Sequence, residues 1–245
     1  LNCINSKKSS VSQFILIEVI LLRKLKSIIT SPVFWITLTC VSIGLMENFS
    51  SKAASFFITN WSNVPSAIVS GQGYRLFTSL FVHTGPPHLI TNMIGLIALS
   101  WLVTGLINKV QYTLLLLISG VIGNLLADLF VIGMNYAEGF DSLPLIDAAN
   151  SIVGLSTAIY GLFVFTIIIF PAKSCKDFRE KKLKWFIFLI ITFSTCLDLI
   201  LGILDHTPTS METFVHSGGA IVGGICAVGL LIVEKRRTKA FHQQP

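Results

Sequence analysis

The chain has 245 residues, of which 53% are hydrophobic and only 12% carry a charge, and its mean hydropathy is +0.76. Soluble domains are about 25% charged, so a water-soluble domain of this length would lack the polar residues to cover its surface. The formal charge of +6 does not indicate a nucleic-acid-binding protein, because the basic residues stand at the ends of apolar runs, where they orient a membrane protein.

The N-terminal segment, residues 1–31, contains a short apolar stretch from Phe14 to Leu22 that is interrupted by Glu18. Basic residues follow this stretch, whereas a signal peptide carries its positive charges before the apolar core. We therefore expect an amphipathic helix that lies on the cytoplasmic surface of the membrane.

Six later apolar stretches are each long enough to cross about 30 Å of hydrocarbon, which takes about 20 helical residues. They predict an all-α, polytopic membrane protein whose spans lie near residues 32–50, 88–107, 111–134, 152–171, 185–204 and 214–233. Residues 32–233 would form one membrane domain that is embedded in the lipid bilayer. Residues 234–245 would form a basic cytoplasmic tail.

Lysine and arginine are distributed unevenly between the two sides of this predicted bundle. Of the 18 such residues, only Lys52 and Arg75 fall on one side, and all others fall on the opposite side. The positive-inside rule then predicts a multi-pass protein of the cell membrane with both termini in the cytoplasm. The outward loops would be 51–87, 135–151 and 205–213. The first is rich in aromatic residues, so we expect it to fold against the outer leaflet.

The cysteines give no sign of a metal site or of a disulfide framework. The chain has five of them, without a CxxC pair and without metal-ligand spacing. We expect small, buried, apolar side chains here, and we expect neither a metal nor another cofactor. The five are Cys3, Cys40, Cys175, Cys196 and Cys226.

Three predicted spans carry polar residues at the same depth, and such residues are costly inside a membrane. The second, fourth and sixth spans all run from the outside to the inside. His88 and Asn92 lie in the first turns of the second span, Ser156 in those of the fourth, and His216 in the first turn of the sixth. We therefore expect these four side chains to meet near the outer face.

The residue types fit acyl transfer. A serine becomes nucleophilic beside a general base, and histidine is the usual base. His88 and Asn92 are four residues apart and share one helix face, so both could donate hydrogen bonds to an oxyanion, together with backbone N–H groups at the start of the fourth helix. Each residue alone has a simpler explanation, since serines in spans usually pack and interfacial histidines are usually solvated.

Small residues on the fourth and sixth spans favour close approach of the two helix backbones. The sixth span contains Gly219-xxx-Gly223, which would let His216 reach Ser156. Generic helix packing is the simpler explanation of such a pattern when it occurs alone. The fourth span carries Gly154, Ala158 and Gly161.

Taken together, these motifs resemble those of the rhomboid family of intramembrane serine proteases, and the resemblance covers nearly the whole chain. The family's signatures occur in order. They are Tyr74-Arg75 with Phe77-Thr78 in the first outer loop, His83, His88 and Asn92 at the spacing of the second helix, Gly154-Leu155-Ser156 as the nucleophile motif, Tyr160 one turn later, and His216-xx-Gly219-xxx-Gly223 in the sixth helix.

The resemblance implies a catalytic dyad in which Ser156 attacks the scissile carbonyl and His216 takes its proton. It implies an oxyanion hole formed by His88 and Asn92, and a tyrosine, Tyr160, that holds the imidazole ring. The implied substrates are single-span or other membrane proteins, cut within their transmembrane segments.

His83 and Thr157 are not part of the implied dyad or oxyanion hole, and we expect other effects from them. By the resemblance, His83 is a structural hydrogen-bonding residue of the loop rather than a catalyst. Thr157 stands where the family motif usually has a second glycine. A β-branched residue restricts the backbone where glycine is permissive. We expect Thr157 to alter the oxyanion geometry or the rate, and Thr157→Gly to preserve or raise activity.

Three other functions are compatible with parts of the pattern. A rhomboid-like pseudoprotease would bind membrane proteins without cutting them, although the serine and the histidine are both present. A transporter or channel could use His83, His88 and His216 for ions or protons, but the chain has no repeat symmetry, and its acidic residues Asp128 and Asp198 lie on other helices. A zinc protease is disfavoured because no HExxH motif occurs.

Overall fold

The protein was analysed as a computed structural model, which describes residues 20, 22–23, 26–137, 151–174, 182–204 and 211–242. Residues 1–19 of the predicted N-terminal segment and most of the predicted outer loops 135–151 and 205–213 lie outside these residues. From Pro32 onward, the helices are α1 (Pro32–Phe49), α2 (Ser51–Trp61), α3 (Pro65–Val69), α4 (Arg75–Thr78), a 3-10 turn (Ser79–Phe81), α5 (Pro86–Val103), α6 (Lys109–Ala137), α7 (Ser156–Ser174), α8 (Lys182–Leu204) and α9 (Met211–His242).

Five segments in the described part of the chain are long and apolar enough to cross a membrane: α1, α5, α7, Lys109–Gly133 in α6 and Val215–Phe241 in α9. They coincide with five of the six predicted spans, which confirms an all-α polytopic protein. The remaining predicted span, 185–204, coincides with α8 as a helix. That α8 also crosses the membrane, and the total of six spans, stay predictions.

Most helix boundaries differ from the predicted ones by a few residues, and two of these differences have a clear physical reason. Helix α5 begins at Pro86 rather than at residue 88, because a proline suits the first helical position, where its missing N–H is not needed. Helix α9 continues through the basic residues to His242 instead of ending near residue 233. Lysine and arginine are good helix formers, and their charges favour the C-terminal end of a helix dipole.

Helices α7 and α9 run parallel and in close contact. A Cβ atom added to Gly219 would collide with the carbonyl of Thr157, and one added to Gly223 would collide with the carbonyl of Gly161. The contacts advance four residues along both helices, which fixes their common direction. In lipid, helices associate through such close packing of small residues rather than through the hydrophobic effect.

Helix α6 runs antiparallel to this pair and packs against both of its members. A Cβ atom on Gly123 would lie 2.6 Å from the Thr157 methyl and 2.7 Å from the Gly219 nitrogen. Closer to its start, α6 contacts a later turn of α7, since a Cβ atom on Gly161 would collide with Ser119. The interior of the bundle is mainly apolar and centres on α7, whose Phe170 is fully buried.

The aromatic-rich loop that follows α1 is folded into helices α2 to α4. Arg75 is buried, with its Nη1 atom donating to the carbonyls of Thr59 (2.9 Å) and Ser62 (3.0 Å) and its Nε atom donating to Gln72 Oε1 (2.7 Å). These bonds pair the Nε and Nη1 atoms of the charged guanidinium and tie α4 to α2. That this loop lies against the outer leaflet stays a prediction.

The segment that leads into α7 is held against this loop. Asn63 and Ile152 exchange two backbone hydrogen bonds of 2.9 and 2.8 Å. The buried Asn63 side chain also donates to both carboxylate oxygens of Asp128 on α6, at 3.0 and 2.9 Å. The start of α7 is thereby fixed relative to both the loop and α6.

Candidate active site

The predicted nucleophile Ser156 is the first residue of α7. Two residues before it, Gly154 adopts an unusual backbone conformation. Gly154 has φ +107, which side chains other than glycine rarely adopt. Its N–H donates to the Ser79 carbonyl at 2.8 Å. A Cβ atom at this position would lie 2.7 Å from Cε1 and 2.8 Å from Nε2 of His88, and 3.2 Å from Nδ2 of Asn92. The glycine therefore lets both side chains approach the segment that carries Ser156.

His88 is the third residue of α5, just after the two prolines that begin the helix. Its Nδ1 atom lies 3.1 Å from the hydroxyl of Thr84. With the hydroxyl as donor, the imidazole proton is on Nε2, which is the nitrogen nearest to Gly154. His88 can then donate a hydrogen bond toward the segment before Ser156.

Asn92 lies one turn further along α5, on the same face as His88. The residue is 7% exposed, and its Nδ2 atom has no hydrogen-bond partner among the described residues. A buried amide donor without a partner is costly in an ordinary core. Such a donor suits a site where negative charge develops during a reaction.

His216 lies in the first turns of α9 and stacks on Tyr160 of α7. The two ring centroids are 4.0 Å apart, and the ring planes are inclined by 12°. Tyr160 follows Ser156 by one helical turn, so the imidazole lies close to the start of α7. The Nε2 atom of His216 is buried and has no hydrogen-bond partner in the described part of the chain.

The hydroxyl of Ser156 is therefore not hydrogen-bonded to His216 Nε2. Catalytic hydrogen bonds are often long without substrate and tighten only when substrate is bound. The positive end of the α7 dipole lies at Ser156, and the first N–H groups of a helix have no partner within it. Backbone donors and an unpartnered imidazole nitrogen therefore lie around one serine.

A cavity of about 290 Å³ opens beside this serine, between α5, α7 and α8. Asn92, Ser156 and Tyr160 line it together with residues that are mainly apolar. An apolar cavity with a few polar groups is typical of a site that binds a small or extended ligand. The other lining residues include Gly95, Phe163, Ile191 and Ser194.

His83 lies in the loop before α5, and its contacts are with α1, the preceding 3-10 turn and His88. Its backbone N–H donates to Glu47 Oε2 at 3.4 Å, and its Nδ1 atom lies 3.3 Å from the Phe81 carbonyl. Its ring is 5.2 Å from that of His88, in an edge-to-face arrangement. Burial, together with the smaller effect of the neighbouring His88, lowers the pKa of His83 from 6.5 to about 4.

Thr157 has a different environment from the one that the sequence predicts. It lies in the first turn of α7, where the backbone is helical and no glycine is required. The residue is fully buried, and its hydroxyl donates to Asn124 Oδ1 at 2.8 Å. The position is thus a hydrogen-bonded site for threonine rather than a source of backbone strain.

Sequence reasoning did not single out Asn124 or Glu47. Both lie within predicted spans and carry polar groups there, which is the signal that drew attention to His88 and Ser156. Among the cysteines whose side chains the structure describes, Cys40 is buried, Cys226 is half-buried, and both are free thiols. In the described part of the chain, no group of three His, Cys, Asp or Glu residues is arranged to hold a metal ion.

Comparison with known proteins identifies the family. Residues 70–233 match the family model described as the Rhomboid domain. The chain belongs to the rhomboid family. This confirms the resemblance and the rhomboid-like, all-α membrane bundle. The family includes intramembrane serine proteases.

Similar rhomboid proteins occur in Arabidopsis thaliana. RHOMBOID-like protein 1 is 28% identical over 182 residues, which cover 74% of this chain and 40% of the plant protein. RHOMBOID-like protein 2 is 26% identical over 161 residues, or 66% and 43% of the two chains. RHOMBOID-like protein 6, mitochondrial, is 24% identical over 185 residues, or 76% and 51%. The chain thus spans only about half the length of these relatives or less.

Proposed function

We propose that this rhomboid is an intramembrane serine endopeptidase whose catalytic dyad is Ser156 and His216. The observation that carries the proposal is the stack of His216 on Tyr160, one turn from Ser156, which holds the imidazole beside the start of α7. A base held at a fixed angle beside a serine is the arrangement that activates a hydroxyl nucleophile.

The reaction would proceed in two acyl-transfer steps. Ser156 Oγ attacks the scissile carbonyl carbon while His216 Nε2 accepts the hydroxyl proton. The tetrahedral intermediate collapses, and His216 gives that proton to the leaving amine, which leaves an ester on Ser156. A water molecule then attacks the ester, with His216 again as base, and releases the second product and the free serine.

The oxyanion would be stabilised by donors from two helices. His88 and Asn92 supply side-chain N–H groups close to Gly154, and the backbone N–H of Ser156 supplies a third donor at the N-terminus of α7. Donors fixed in advance stabilise the transition state without reorganisation, and each is worth about 10²–10³ in kcat.

We propose that the substrates are transmembrane segments of single-span or other membrane proteins. The cavity beside Ser156 supports this, because it is mainly apolar and lies between α5 and α8. A hydrophobic segment that has unwound locally could enter there and expose one peptide bond to the serine. We also propose the cell membrane as location, with both termini in the cytoplasm, because of the uneven distribution of lysine and arginine.

The test is cleavage of a model single-span substrate by the full chain reconstituted in lipid vesicles. The wild type is expected to cut the substrate, and Ser156→Ala and His216→Ala are each expected to abolish cleavage. Ser70→Ala is the matched control, because this exposed serine lies in the loop after α1 and, among the described residues, its hydroxyl donates to the Ser66 carbonyl of its own helical turn. Cleavage by Ser156→Ala at the wild-type rate would contradict the proposal.

The second candidate is a rhomboid-like pseudoprotease that binds membrane proteins without cutting them. It is favoured by the absence of a hydrogen bond at His216 Nε2 in the described part of the chain. A binding protein would retain the substrate in a pull-down from vesicles without cleaving it. In that case Ser156→Ala would leave binding unchanged, and no cut product would form with the wild type.

A further inference from the structure

A continuous set of buried hydrogen bonds surrounds the turn that carries Ser156. The Thr157 hydroxyl donates to Asn124 Oδ1 (2.8 Å), and Asn124 Nδ2 donates to the Ser79 hydroxyl (3.2 Å) and to the Leu76 carbonyl (3.1 Å). The Ser79 carbonyl in turn accepts the N–H of Gly154 at 2.8 Å. Gly154, two residues before Ser156, is therefore linked to Ser79 directly. Thr157, one residue after Ser156, is linked to Ser79 through Asn124.

All the side chains of this set are out of contact with solvent. Ser79, Asn124 and Thr157 each have an exposure of 0%. The set joins three separate parts of the fold: the 3-10 turn of the outer loop, α6 and α7. Hydrogen bonds in so dry an environment are strong, and loss of one partner leaves the other without a replacement from water.

The neighbouring residues of α6 fit a threonine at this position. Gly123 faces the Thr157 methyl, and a Cβ atom on it would lie only 2.6 Å from that methyl. The next residue, Asn124, accepts the hydroxyl. One residue of α6 therefore leaves room for the methyl group, and the next binds the hydroxyl group.

We propose that Ser79, Asn124 and Thr157 form a clamp, and that Thr157 is a positioning residue for the Ser156 nucleophile. The clamp fixes the backbone on both sides of Ser156 and so sets the direction of its hydroxyl and of its N–H. This proposal rests on the proposed function of Ser156. It predicts that threonine at position 157 favours the reaction, so Thr157→Gly lowers activity, contrary to the expectation from the sequence alone.

The first test uses Thr157→Val, which keeps the shape of the side chain and removes only the hydroxyl. The rate at which a fluorophosphonate labels Ser156 is expected to fall about 10-fold or more, since a displacement of about 1 Å at a reacting group can cost about 10²-fold. Thr157→Ser keeps the hydroxyl and is expected to restore the labelling rate to within about threefold of wild type. Equal labelling of Thr157→Val and wild type overturns the proposal.

The matched control is Thr166→Val on the same helix. Thr166 is also buried, but its hydroxyl donates to the Leu162 carbonyl within α7, more than two turns from Ser156. This variant is expected to keep the labelling rate. A purely structural role for Thr157 would lower the melting temperature of Thr157→Val and leave its labelling rate unchanged, which also overturns the proposal.

A double-mutant cycle tests the link to α6. Asn124→Leu removes both the acceptor for Thr157 and the donor to Ser79, so adding Thr157→Val to it is expected to have little further effect. If the double variant lost labelling rate by the product of the two single losses, the two residues would act independently, and the link between Thr157 and Asn124 would be overturned.

Hydrogen exchange separates failure of the clamp from failure of the proposed function. The amide of Gly154 is expected to exchange at least about 10-fold faster in Thr157→Val than in the wild type, because its N–H donates to the Ser79 carbonyl, which the clamp holds in place. This measurement does not depend on reactivity of Ser156. Unchanged exchange overturns the clamp. Faster exchange, in a protein whose wild type is not labelled by the fluorophosphonate, supports the clamp and contradicts the assignment of Ser156 as nucleophile.

Discussion

The ring of Tyr160 lies nearly parallel to the imidazole of His216, with 4.0 Å between the ring centroids. The two residues come from helices that touch along glycines, so the distance between the rings is set by backbone packing rather than by loops. Because Tyr160 and Ser156 are one turn apart on α7, the same contact sets the position of the proposed base relative to the proposed nucleophile.

Removal of this stack should reduce turnover more than substrate affinity. Tyr160→Phe keeps the aromatic face and is expected to retain most of the wild-type kcat. Tyr160→Ala loses a contact worth about 0.5–1.5 kcal/mol, so kcat is expected to fall about 10-fold. Separate measurement of kcat and KM checks this. A change in KM alone would show that Tyr160 binds substrate and does not hold His216.

Gly154→Ala should lower both stability and kcat, for two separate reasons. The φ of +107 costs an alanine about 1–2 kcal/mol, and the new methyl would collide with the His88 ring. Gly71→Ala is the matched control, because its φ is +93 but nothing lies within 4 Å of the added atom. Both variants are expected to lose stability, and only Gly154→Ala is expected to lose kcat. Equal kcat in the two variants would refute the role of His88.

Gly219→Ala should increase the distance between α7 and α9. The new methyl would collide with the Thr157 carbonyl, and overpacking of this kind costs about 1–3 kcal/mol. We expect a lower melting temperature and lower activity, because His216 moves with α9. Gly229→Ala on the same helix has open space around the added atom and is expected to leave both unchanged or to stabilise the helix slightly. A Gly219→Ala variant as stable and active as wild type would contradict the packing described above.

Asn92→Ala should lower kcat by about 10²–10³ and change KM little, because a donor to the oxyanion acts mainly in the transition state. Asn60→Ala is the matched control, since within the described part of the chain the exposed Asn60 side chain donates to the Phe56 carbonyl of its own helix. Steady-state kinetics on the same substrate compares the two. Loss of binding with unchanged kcat would assign Asn92 to substrate recognition instead.

His83 should make stability depend on pH. Its pKa falls on folding from 6.5 to about 4 because of burial and the neighbouring His88, so the unfolded chain binds a proton that the folded chain rejects. Above pH 6.5 His83 is neutral in both states and does not affect the free energy of unfolding. As the pH falls from 6.5 toward 4, protonation of the unfolded chain lowers that free energy. His88, whose ring lies 5.2 Å from that of His83, is present in both proteins, so the comparison with His83→Gln isolates the effect of His83. We expect the melting temperature of wild type to fall more steeply over this range than that of His83→Gln.

Much of the site could be predicted because it follows from periodicity and direction. His88 and Asn92 lie on one face of α5 by their spacing of four, and alternation of the helices brings the starts of α5, α7 and α9 together. The glycines at 219 and 223 predicted a close contact with α7, and the structure contains it. These features need only the helix repeat and the order of the spans.

The role of Thr157 could not be predicted, because it depends on which residue of α6 faces it. The sequence shows a β-branched residue where a glycine is usual, and that observation alone suggests strain. Only the packed structure shows that Gly123 and Asn124 lie opposite the methyl and the hydroxyl. The extension of α9 to His242 was missed for a related reason, since hydropathy reports where a span leaves the membrane and not where its helix ends.

The most direct test of the proposed nucleophile is fluorophosphonate labelling of the reconstituted chain, with the modified residue identified by mass spectrometry. The proposal predicts an adduct on Ser156 in the wild type, none in Ser156→Ala, and strongly reduced labelling in His216→Ala. Labelling of Ser156→Ala to the same extent as wild type, or an adduct on another residue alone, would contradict the assignment of Ser156 as the nucleophile.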